Sequence, residues 1–249
     1  MKDMGDLTGR VAIVTGGGGG IGAAVCKTLA FHGAIVVPAD INPAACKPVV
    51  DQVEALGGQA YPVELNVMEL DSVKKAMAEV NEKFGHIDIL VNIAGILSGD
   101  TIEEVTTEHW DKMLDINLRG IHYCCQTVVP YMAKNGGGAV VSVSSQAGQV
   151  GGWMGSVAYS ASKGGILAIT KGYARQCTAK YGIRFNDVAP GLIETPLTKE
   201  RGDKPDGIPV GRLGTAQDVA NAIYFLASDL SGFIDGATID VNGGQFMRS

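Results

Sequence analysis

Thr15-Gly16-Gly17-Gly18-Gly19-Gly20-Ile21-Gly22 is the stretch that decides the fold of this 249-residue chain. It follows the apolar run of residues 11–14 and leads directly into a helical pattern. A strand that passes through a glycine-rich turn into a helix leaves free backbone N–H groups at the positive end of the helix, and such a geometry accepts a diphosphate. The alternative is a flexible glycine linker, but this stretch joins a strand to a helix. We therefore expect Gly16, Gly20 and Gly22 to form a tight phosphate-binding turn.

The composition describes a globular protein without a nucleic-acid or membrane role. Hydrophobic residues make up 46% of the chain and charged residues 18%, with a net charge of −6 and no basic block. We therefore expect neither nucleic acid nor membrane as a partner, and no apolar run is long enough to span a bilayer. The five cysteines lack a Cys-x-x-Cys pair and the four histidines are scattered, so we expect buried thiols, a cytoplasmic location and no metal site.

Asp40 ends the second apolar strand pattern, 18 residues after Gly22. A dinucleotide-binding fold places an acid about there, over the adenosine ribose. Its carboxylate can accept hydrogen bonds from both ribose hydroxyls and repels a 2′-phosphate. The alternative is a helix cap, but Asn42 and Pro43 already supply the cap and the first helical residue. We therefore expect Asp40 to bind the ribose.

Strand and helix patterns alternate along the whole chain. Strands are expected over residues 11–14, 35–40, 59–67, 139–143 and 238–241, strands together with their exit loops over 87–95 and 183–195, and helices over 71–84, 107–135 and 215–227. Pro38 predicts that the second strand ends early, and Pro48 predicts that the next helix kinks or starts late. Gly120 and Pro130 are expected to bend the long helix or to bring its end forward. The pattern predicts one doubly wound α/β domain of the Rossmann type over residues 1–249, with a parallel sheet of about seven strands.

Tyr159 and Lys163 lie at positions i and i+4 and therefore on one helical face. A tyrosine phenol has a pKa near 10, too high for a base at neutral pH. An ammonium about 4 Å away contributes roughly 4 kcal/mol at an effective dielectric of about 20, which is nearly three pKa units. Taken alone, the pair also fits a surface tyrosine on a helix of small residues. Combined with the glycine turn and with the serines at 144 and 145 after a predicted strand, it predicts an acid/base site.

These segments together resemble the short-chain dehydrogenase/reductase family over roughly residues 7–245. The resemblance lies in the glycine turn, in Asn92-Ile93-Ala94-Gly95 with Ile93 in place of a second Asn, in the Tyr159/Lys163 pair, and in residues 186–191, which match Asn-x-Val-x-Pro-Gly. It implies an oxidoreductase that moves hydride between a nicotinamide and the carbon of a secondary alcohol or ketone. It also implies a small-molecule substrate and, with the small residues at 160–165, a homotetramer.

The resemblance assigns a catalytic role to four residues. Tyr159 is expected to move the hydroxyl proton, Ser145 to bind the substrate oxygen, and Lys163 to lower the pKa of Tyr159 and hold the nicotinamide ribose. Asn117 would support a water-linked proton path from Lys163. Ser144 stays an alternative to Ser145, because the 14-residue gap from Ser145 to Tyr159 is one longer than expected.

The resemblance also implies a NAD-binding set and a substrate lid. In the family the position of Asn66 accepts a hydrogen bond from the adenine amino group, and the backbone of Ile193 and the hydroxyl of Thr195 meet the carboxamide. Residues 192–208 are expected to form the lid, with substrate between it, Ser145, Tyr159, Ile96, Met154 and Trp153; Trp153 either stacks on a ring or anchors its loop. The expected cofactor contacts are Gly16, Gly20, Ile21, Gly22, Asp40, Ile41, Asn66, Val67, Asn92, Ala94, Gly95, Tyr159, Lys163, Pro190, Ile193 and Thr195.

Two other functions share most of these motifs. A 3-oxoacyl-thioester (acyl carrier protein) reductase would carry them all, but such reductases generally prefer NADPH and have a basic residue near Gly19 or after the second strand, where this chain has none. A cofactor-sensing binding protein would have lost Tyr159 or Lys163, and both are present. The sequence therefore favours an NAD-dependent dehydrogenase.

Overall fold

One parallel sheet forms the centre of the protein, seen here in a computed structural model that describes residues 3–152 and 157–247. Its strands are β1 (Val11–Thr15), β2 (Ile35–Asp40), β3 (Gln59–Ala60), β4 (Val63–Glu64), β5 (Ile89–Asn92), β6 (Gly138–Val143), β7 (Ile183–Pro190) and β8 (Thr238–Val241). The order is β3-β2-β1-β5-β6-β7-β8, and β4 also pairs with β2. Because β3 and β4 are two halves of one edge position, the expected sheet of about seven strands is confirmed.

Helices cover both faces of this sheet. They are α1 (Gly20–Phe31), α2 (Lys47–Ala55), α3 (Leu70–Phe84), α4 (Thr107–Leu114), α5 (Gly120–Lys134), α6 (Ala147–Val150), α7 (Val157–Tyr181), α8 (Pro196–Arg201) and α9 (Ala216–Ala227). Successive residues of β1 face opposite sides: Ile13 packs into the core beneath α3, α5 and α7, and Val14 into the core beneath α1, α2 and α9. This is the doubly wound arrangement predicted from the sequence.

The strand order reverses between β1 and β5, and this reversal positions the site. The chain winds from β1 outward to β2 and the β3/β4 edge, and then returns to β5 on the other side of β1. Connections that leave in opposite directions open a crevice beyond the carboxyl ends of the two strands, where doubly wound proteins bind their ligands. The glycine turn that follows β1 therefore lies at the crevice.

The prediction that Pro38 ends β2 early is wrong, because β2 continues to Asp40. The N–H of Ile35 donates to Arg10 on the β1 side, and N–H directions alternate along a strand, so the missing N–H of Pro38 faces the opposite edge. There the neighbouring strand is itself broken at Pro62, between β3 and β4. The two prolines therefore remove few hydrogen bonds between these neighbouring strands. The strand expected over 59–67 is present only as the two short segments β3 and β4.

Pro48 acts as predicted, since the helix that contains it starts late. A 3₁₀ turn over Pro43–Cys46 comes first, with the Asn42 side chain accepting a hydrogen bond from the Ala44 N–H. Helix α2 then begins at Lys47, which places Pro48 in its first turn, where no N–H donor is needed.

The prediction of one continuous helix over residues 107–135 is wrong in the middle of that range. A π-helical turn over Asp115–Arg119 separates α4 from α5, so the helix departs from α geometry before Gly120. Pro130 lies inside α5 without ending it, because α5 runs on to Lys134. Such π-turns are uncommon and often mark functional positions, and this one contains Asn117.

Other local predictions are confirmed. Gly85 ends α3 in the left-handed conformation with φ of 82°, and a capping box of Thr215 and Asp218 opens α9. All five cysteines are buried and free of disulfides. None of the described helices is long and apolar enough to cross a membrane.

Candidate active site

The glycine turn is shaped by contacts that only glycine allows. Gly16 and Gly20 have φ of 67° and 54°, in the left-handed region. A side chain on Gly22 would overlap the Gly16 carbonyl oxygen, whereas side chains on Gly19 and Gly20 would meet nothing within 4 Å. Helix α1 begins at Gly20 with no side-chain cap and no acid in its first turn. An open concave turn with free N–H groups fits a diphosphate.

Thr15 ties this turn to the end of β5. Its hydroxyl oxygen accepts hydrogen bonds from the backbone N–H groups of Ile93 and Ala94, at 3.0 and 3.2 Å. A side chain on Gly16 would lie 3.1 Å from Ala94, so the two loops are in close contact. The predicted Asn92–Gly95 segment therefore borders the glycine turn.

The adenosine end of the predicted site lies at β2 and β4. Asp40 is partly exposed at the end of β2, and its Oδ1 accepts a hydrogen bond from the Asn42 N–H at 3.2 Å. Asn42, not Asp40, caps the following turn, as predicted. The Asn66 carboxamide is engaged locally, because its oxygen accepts from the Met68 N–H and its nitrogen donates to Glu69. The exposed carboxylate of Asp40 is thus the more available recognition group.

Two predicted cofactor residues turn their side chains away from the crevice. Asn92 is 1% exposed and donates to Ser142 at 3.2 Å. Val67 is buried, and a side chain on Gly120 would lie 2.8 Å from its Cβ. Their side chains pack the interior in this structure, so a ligand contact from either residue would come from the backbone.

A cleft of about 490 Å³ opens beyond the carboxyl ends of β5, β6 and β7. It brings together eight of the predicted site residues, namely Ile21, Gly95, Ser145, Tyr159, Lys163, Pro190, Ile193 and Thr195, together with Ile96 and Leu192. The remaining predicted residues do not line it: Gly16, Gly20, Gly22, Asp40, Ile41, Asn66, Val67, Asn92, Ala94 and Asn117. Most of the second group belongs to the glycine turn and the β2/β4 side of the crevice.

The two serines after β6 have different surroundings, and these favour Ser145 as the residue that meets substrate. Ser144 is 2% exposed, and its hydroxyl donates to the Lys163 carbonyl at 2.7 Å. Ser145 is partly exposed, accepts from the Ala147 N–H at 3.1 Å and is hydrogen-bonded to the Tyr159 hydroxyl. Both serines therefore border the cleft, but Ser145 adjoins Tyr159, whereas the hydroxyl of Ser144 is directed to the backbone of α7.

Lys163 is buried in α7 one turn after Tyr159. Its Nζ donates to the Val143 carbonyl oxygen at 2.8 Å and lies 5.8 Å from the centre of the Tyr159 ring. Burial lowers the pKa of Lys163 from 10.5 to about 8, because an ammonium is poorly solvated there. An ammonium has three protons, so two remain for groups that enter the cleft.

In this structure without cofactor the pKa of Tyr159 is not lowered, so the role of Lys163 in lowering it stays a prediction. Burial raises the pKa of Tyr159 above its ordinary value of 10, and the hydrogen bond from Ser145 offsets only part of that effect. The sequence estimate assumed a solvated ammonium about 4 Å from the phenol. Burial instead acts on both groups and disfavours the charged form of each.

The buried side chain of Asn117 is hydrogen-bonded to the backbone of Ile96 in the wall of the cleft. Its Oδ1 accepts from the Ile96 N–H at 2.8 Å, and its Nδ2 donates to the Ile96 carbonyl at 2.9 Å and to Ser162 at 3.1 Å. Both ends of the carboxamide are therefore occupied by protein groups. The side chain fixes Ile96, which lines the cleft, and its part in a proton path stays a prediction.

Comparison with known proteins gives a consistent result across sequence and structure. A family model described as enoyl-(acyl carrier protein) reductase matches residues 16–245. The chain is 40% identical over 243 residues to the 3-oxoacyl-[acyl-carrier-protein] reductase FabG of Thermotoga maritima, covering 96% of this chain and 98% of that protein. It is 35% identical over 247 residues to FabG of Escherichia coli, covering 97% and 99%. A short-chain type dehydrogenase/reductase from Mycobacterium marinum superposes with a TM-score of 0.92 at 30% identity, covering 99% and 98%.

The chain belongs to the short-chain dehydrogenase/reductase family. It is accordingly an oxidoreductase that uses a nicotinamide cofactor and acts on hydroxyl or keto groups. The cleft contains the serine, tyrosine and lysine that the resemblance assigned to catalysis. Among residues 3–152 and 157–247, no group of three His, Cys, Asp or Glu side chains is placed to hold a metal ion.

This short-chain dehydrogenase/reductase also has cleft residues that the sequence reasoning did not assign to the site: Leu97, Val143, Gln146, Ala147, Val150 and Gln245. Gln146 had a usable signal, since it follows Ser145 directly. Gln245 had none, because its position depends on how the chain after β8 folds back. Trp153 and Met154, which were expected to meet substrate, lie outside the described residues.

The first part of the expected lid is well structured. The Thr195 hydroxyl accepts from the Thr198 N–H at 3.2 Å, and the Thr198 hydroxyl accepts from the Thr195 N–H at 2.8 Å. This capping box opens α8 within residues 192–208. The hydroxyl predicted to meet the nicotinamide carboxamide therefore also caps a helix.

Proposed function

We propose that this protein is an NAD-dependent dehydrogenase that interconverts a secondary alcohol and its ketone. The observation that carries the proposal is the meeting of Ser145, Tyr159 and Lys163 in one cleft beside a diphosphate-shaped turn. The cleft walls are largely apolar, with Ile96, Leu97 and Leu192 among them. Such walls exclude water from the reacting carbon and strengthen the few polar contacts within.

The proton steps follow from the positions of the side chains. NAD, when bound, supplies the acceptor for the hydride that leaves the carbinol carbon. Ser145 donates a hydrogen bond to the substrate oxygen, and Tyr159 takes the hydroxyl proton as general base; in reduction Tyr159 returns it as general acid. The Ser145–Tyr159 hydrogen bond holds the two hydroxyls adjacent, so one substrate oxygen can contact both.

Lys163 supports this step in two ways. A protonated Lys163 favours the phenolate of Tyr159 by charge attraction, and its pKa of about 8 leaves most of the ammonium charged at neutral pH. Its two remaining protons suit the hydroxyls of the nicotinamide ribose. Because Val143 already fixes Nζ, both actions start from a defined position.

Asp40 supports NAD over NADP. Its carboxylate is partly exposed at the end of β2, and no basic residue stands near Gly19 or follows Asp40 directly. Each charge-assisted hydrogen bond to a ribose hydroxyl is worth about 1.5–3 kcal/mol, so we expect roughly a hundredfold preference in kcat/KM. An Asp40→Ala variant should lose most of the preference. Comparable turnover of NADP by the wild type would contradict this assignment.

A 3-oxoacyl-thioester reductase is the second candidate, and the names of the relatives favour it. Proteins 35–40% identical to this chain are named 3-oxoacyl-[acyl-carrier-protein] reductase. Reduction of a β-ketoacyl thioester uses the same proton donor and serine, so the cleft residues named above suit both reactions. The choice of cofactor separates them: fast thioester reduction with NADPH and none of the alcohols oxidised with NAD would favour the reductase.

The function is tested by a substrate panel. Purified protein is offered NAD with sugars, polyols, hydroxy acids, steroids and β-hydroxyacyl thioesters, and NADH formation is followed by absorbance. The Tyr159→Phe variant is the blank for each substrate, since it removes one oxygen from the proposed base. At least one secondary alcohol should give a rate that depends on Tyr159, and a panel without any such rate would contradict the proposal.

We also propose that the protein is a cytoplasmic homotetramer. A groove of about 460 Å³ runs along α7, where the small residues Gly164, Ala168 and Gly172 alternate with Leu167, Lys171 and Arg175. Such small residues allow a second helix to approach closely, and five unpaired buried cysteines suit a reducing compartment. Light scattering should give about four times the monomer mass of 25.9 kDa. A monomer mass at micromolar concentration would contradict the assembly.

A further inference from the structure

The end of β6 contacts Lys163 at two points. The Val143 carbonyl accepts from Nζ at 2.8 Å, and the hydroxyl of the next residue, Ser144, donates to the Lys163 backbone carbonyl at 2.7 Å. One of these hydrogen bonds fixes the end of the Lys163 side chain, and the other fixes its main chain. Ser144 is itself fixed, since its N–H donates to the Val188 carbonyl on β7 at 2.9 Å.

Helix α6 packs against α7 at Lys163 and Gly164. A side chain on Gly148 would lie 2.5 Å from the Lys163 carbonyl carbon and 2.6 Å from the Gly164 nitrogen. Backbone therefore meets backbone directly behind Lys163. The Ser144 hydroxyl joins the end of β6 to the backbone of α7 at this contact, beside the hydrogen bond from Lys163 Nζ to Val143.

From this geometry we infer that Ser144 is a positioning residue, which holds α7 so that the ammonium of Lys163 stays at its proposed place beside Tyr159. The inference rests on the proposed function for its catalytic consequence. Ser144 acts through Lys163, because its own hydroxyl is buried and directed to the helix.

The loss of this bond has a definite consequence. The Lys163 carbonyl, inside α7, still accepts its helical hydrogen bond, so the Ser144→Ala variant should fold. Without the hydrogen bond from Ser144, α7 can move away from β6 and water can reach Nζ of Lys163. A misplacement of about 1 Å can cost a hundredfold in rate, so we expect kcat to fall by about tenfold to a hundredfold. The pKa that governs alcohol oxidation should rise, since a less well-placed ammonium favours the phenolate less.

The test uses a double-mutant cycle on NADH affinity, measured by the fluorescence of the bound cofactor. Ser144→Ala, Lys163→Met and the double variant are compared with the wild type, and the pH profile of kcat is recorded for Ser144→Ala. Ser231→Ala is the matched control, because Ser231 is also a buried serine whose hydroxyl donates to a helix carbonyl, that of Leu226, and it does not line the cleft.

If Ser144 acts through Lys163, Ser144→Ala weakens NADH binding in the wild type and has no further effect in Lys163→Met. Ser231→Ala leaves NADH affinity and the pH profile unchanged. Additive effects in the cycle, or a Ser144→Ala variant with wild-type affinity and pH profile, would overturn the inference. The proposed function is tested separately by the substrate panel. If the cycle shows coupling but no alcohol gives Tyr159-dependent turnover, the proposed function is contradicted and the inference about Ser144 stands. A wild type that binds no NADH would overturn both.

Discussion

Replacing Lys163 by Met should stabilise the protein while it impairs the proposed chemistry. Burial lowers the pKa of Lys163 from 10.5 to about 8, so at neutral pH the folded protein holds an ammonium that water would solvate better. Each pKa unit corresponds to 1.36 kcal/mol, so this burial costs about 3 kcal/mol at pH 7. The lost hydrogen bond to Val143 opposes the gain by about 1.5–3 kcal/mol, which leaves a small net stabilisation at pH 7.

The pH dependence of the stability difference between Lys163→Met and wild type tests the burial of Lys163 more sharply than its value at pH 7. Because the folded pKa lies below the unfolded one, the penalty is full below pH 8 and disappears as pH rises through 10.5. The stability of Lys163→Met relative to wild type should therefore fall by about 2 kcal/mol between pH 7 and pH 10. For a chain of this size that corresponds to roughly 4–8 °C in Tm.

Thermal unfolding at equal protein concentration measures the difference, since association also affects the apparent stability. Lys75→Met is the matched control, because Lys75 is an exposed helical lysine of α3 outside the groove proposed for subunit contact, and its replacement relieves no burial. Its difference from wild type should change much less over the same pH range. If the Lys163→Met difference is the same at pH 7 and pH 10, the burial argument for Lys163 is refuted.

Two further substitutions test the supports of the cleft. Gly148→Ala should cost about 1–3 kcal/mol and lower kcat, because its Cβ would lie 2.5 Å from the Lys163 carbonyl carbon; urea unfolding with wild-type stability and turnover would contradict the close approach. Asn117→Ala should cost about 1–3 kcal/mol and lower kcat, since it leaves the Ile96 N–H and carbonyl without their partner. Asn117→Asp keeps the acceptor for the Ile96 N–H but buries a carboxylate against the Ile96 carbonyl, so it should be no more stable than Asn117→Ala; a clearly more stable Asn117→Asp would count against this pairing.

The sequence predicted what depends on local pattern. Glycine spacing located the turn between β1 and α1, and the i, i+4 spacing placed Tyr159 and Lys163 on one face of α7. Alternation of strands and helices predicted the doubly wound sheet, because few topologies satisfy that pattern. These features follow from backbone freedom and helical period, which can be read from neighbouring residues.

What the sequence did not predict depends on contacts between distant segments. The π-helical turn at Asn117 accompanies its pairing with Ile96, 21 positions earlier. Pro38 is tolerated because the break at Pro62 lies on the same edge of β2. The pKa of Tyr159 reflects burial, which no spacing reveals. The choice between Ser144 and Ser145 likewise required knowing which hydroxyl meets α7.

The central claim is that Tyr159 is the acid/base of the reaction and that Lys163 tunes it. The most direct measurement is the pH profile of kcat for alcohol oxidation in the wild type and in Lys163→Met, with Tyr159→Phe measured at the optimum. We expect the governing pKa to rise in Lys163→Met and the Tyr159→Phe rate to fall by roughly 10²–10⁴-fold. A governing pKa that does not move, or near-normal turnover by Tyr159→Phe, would contradict the account.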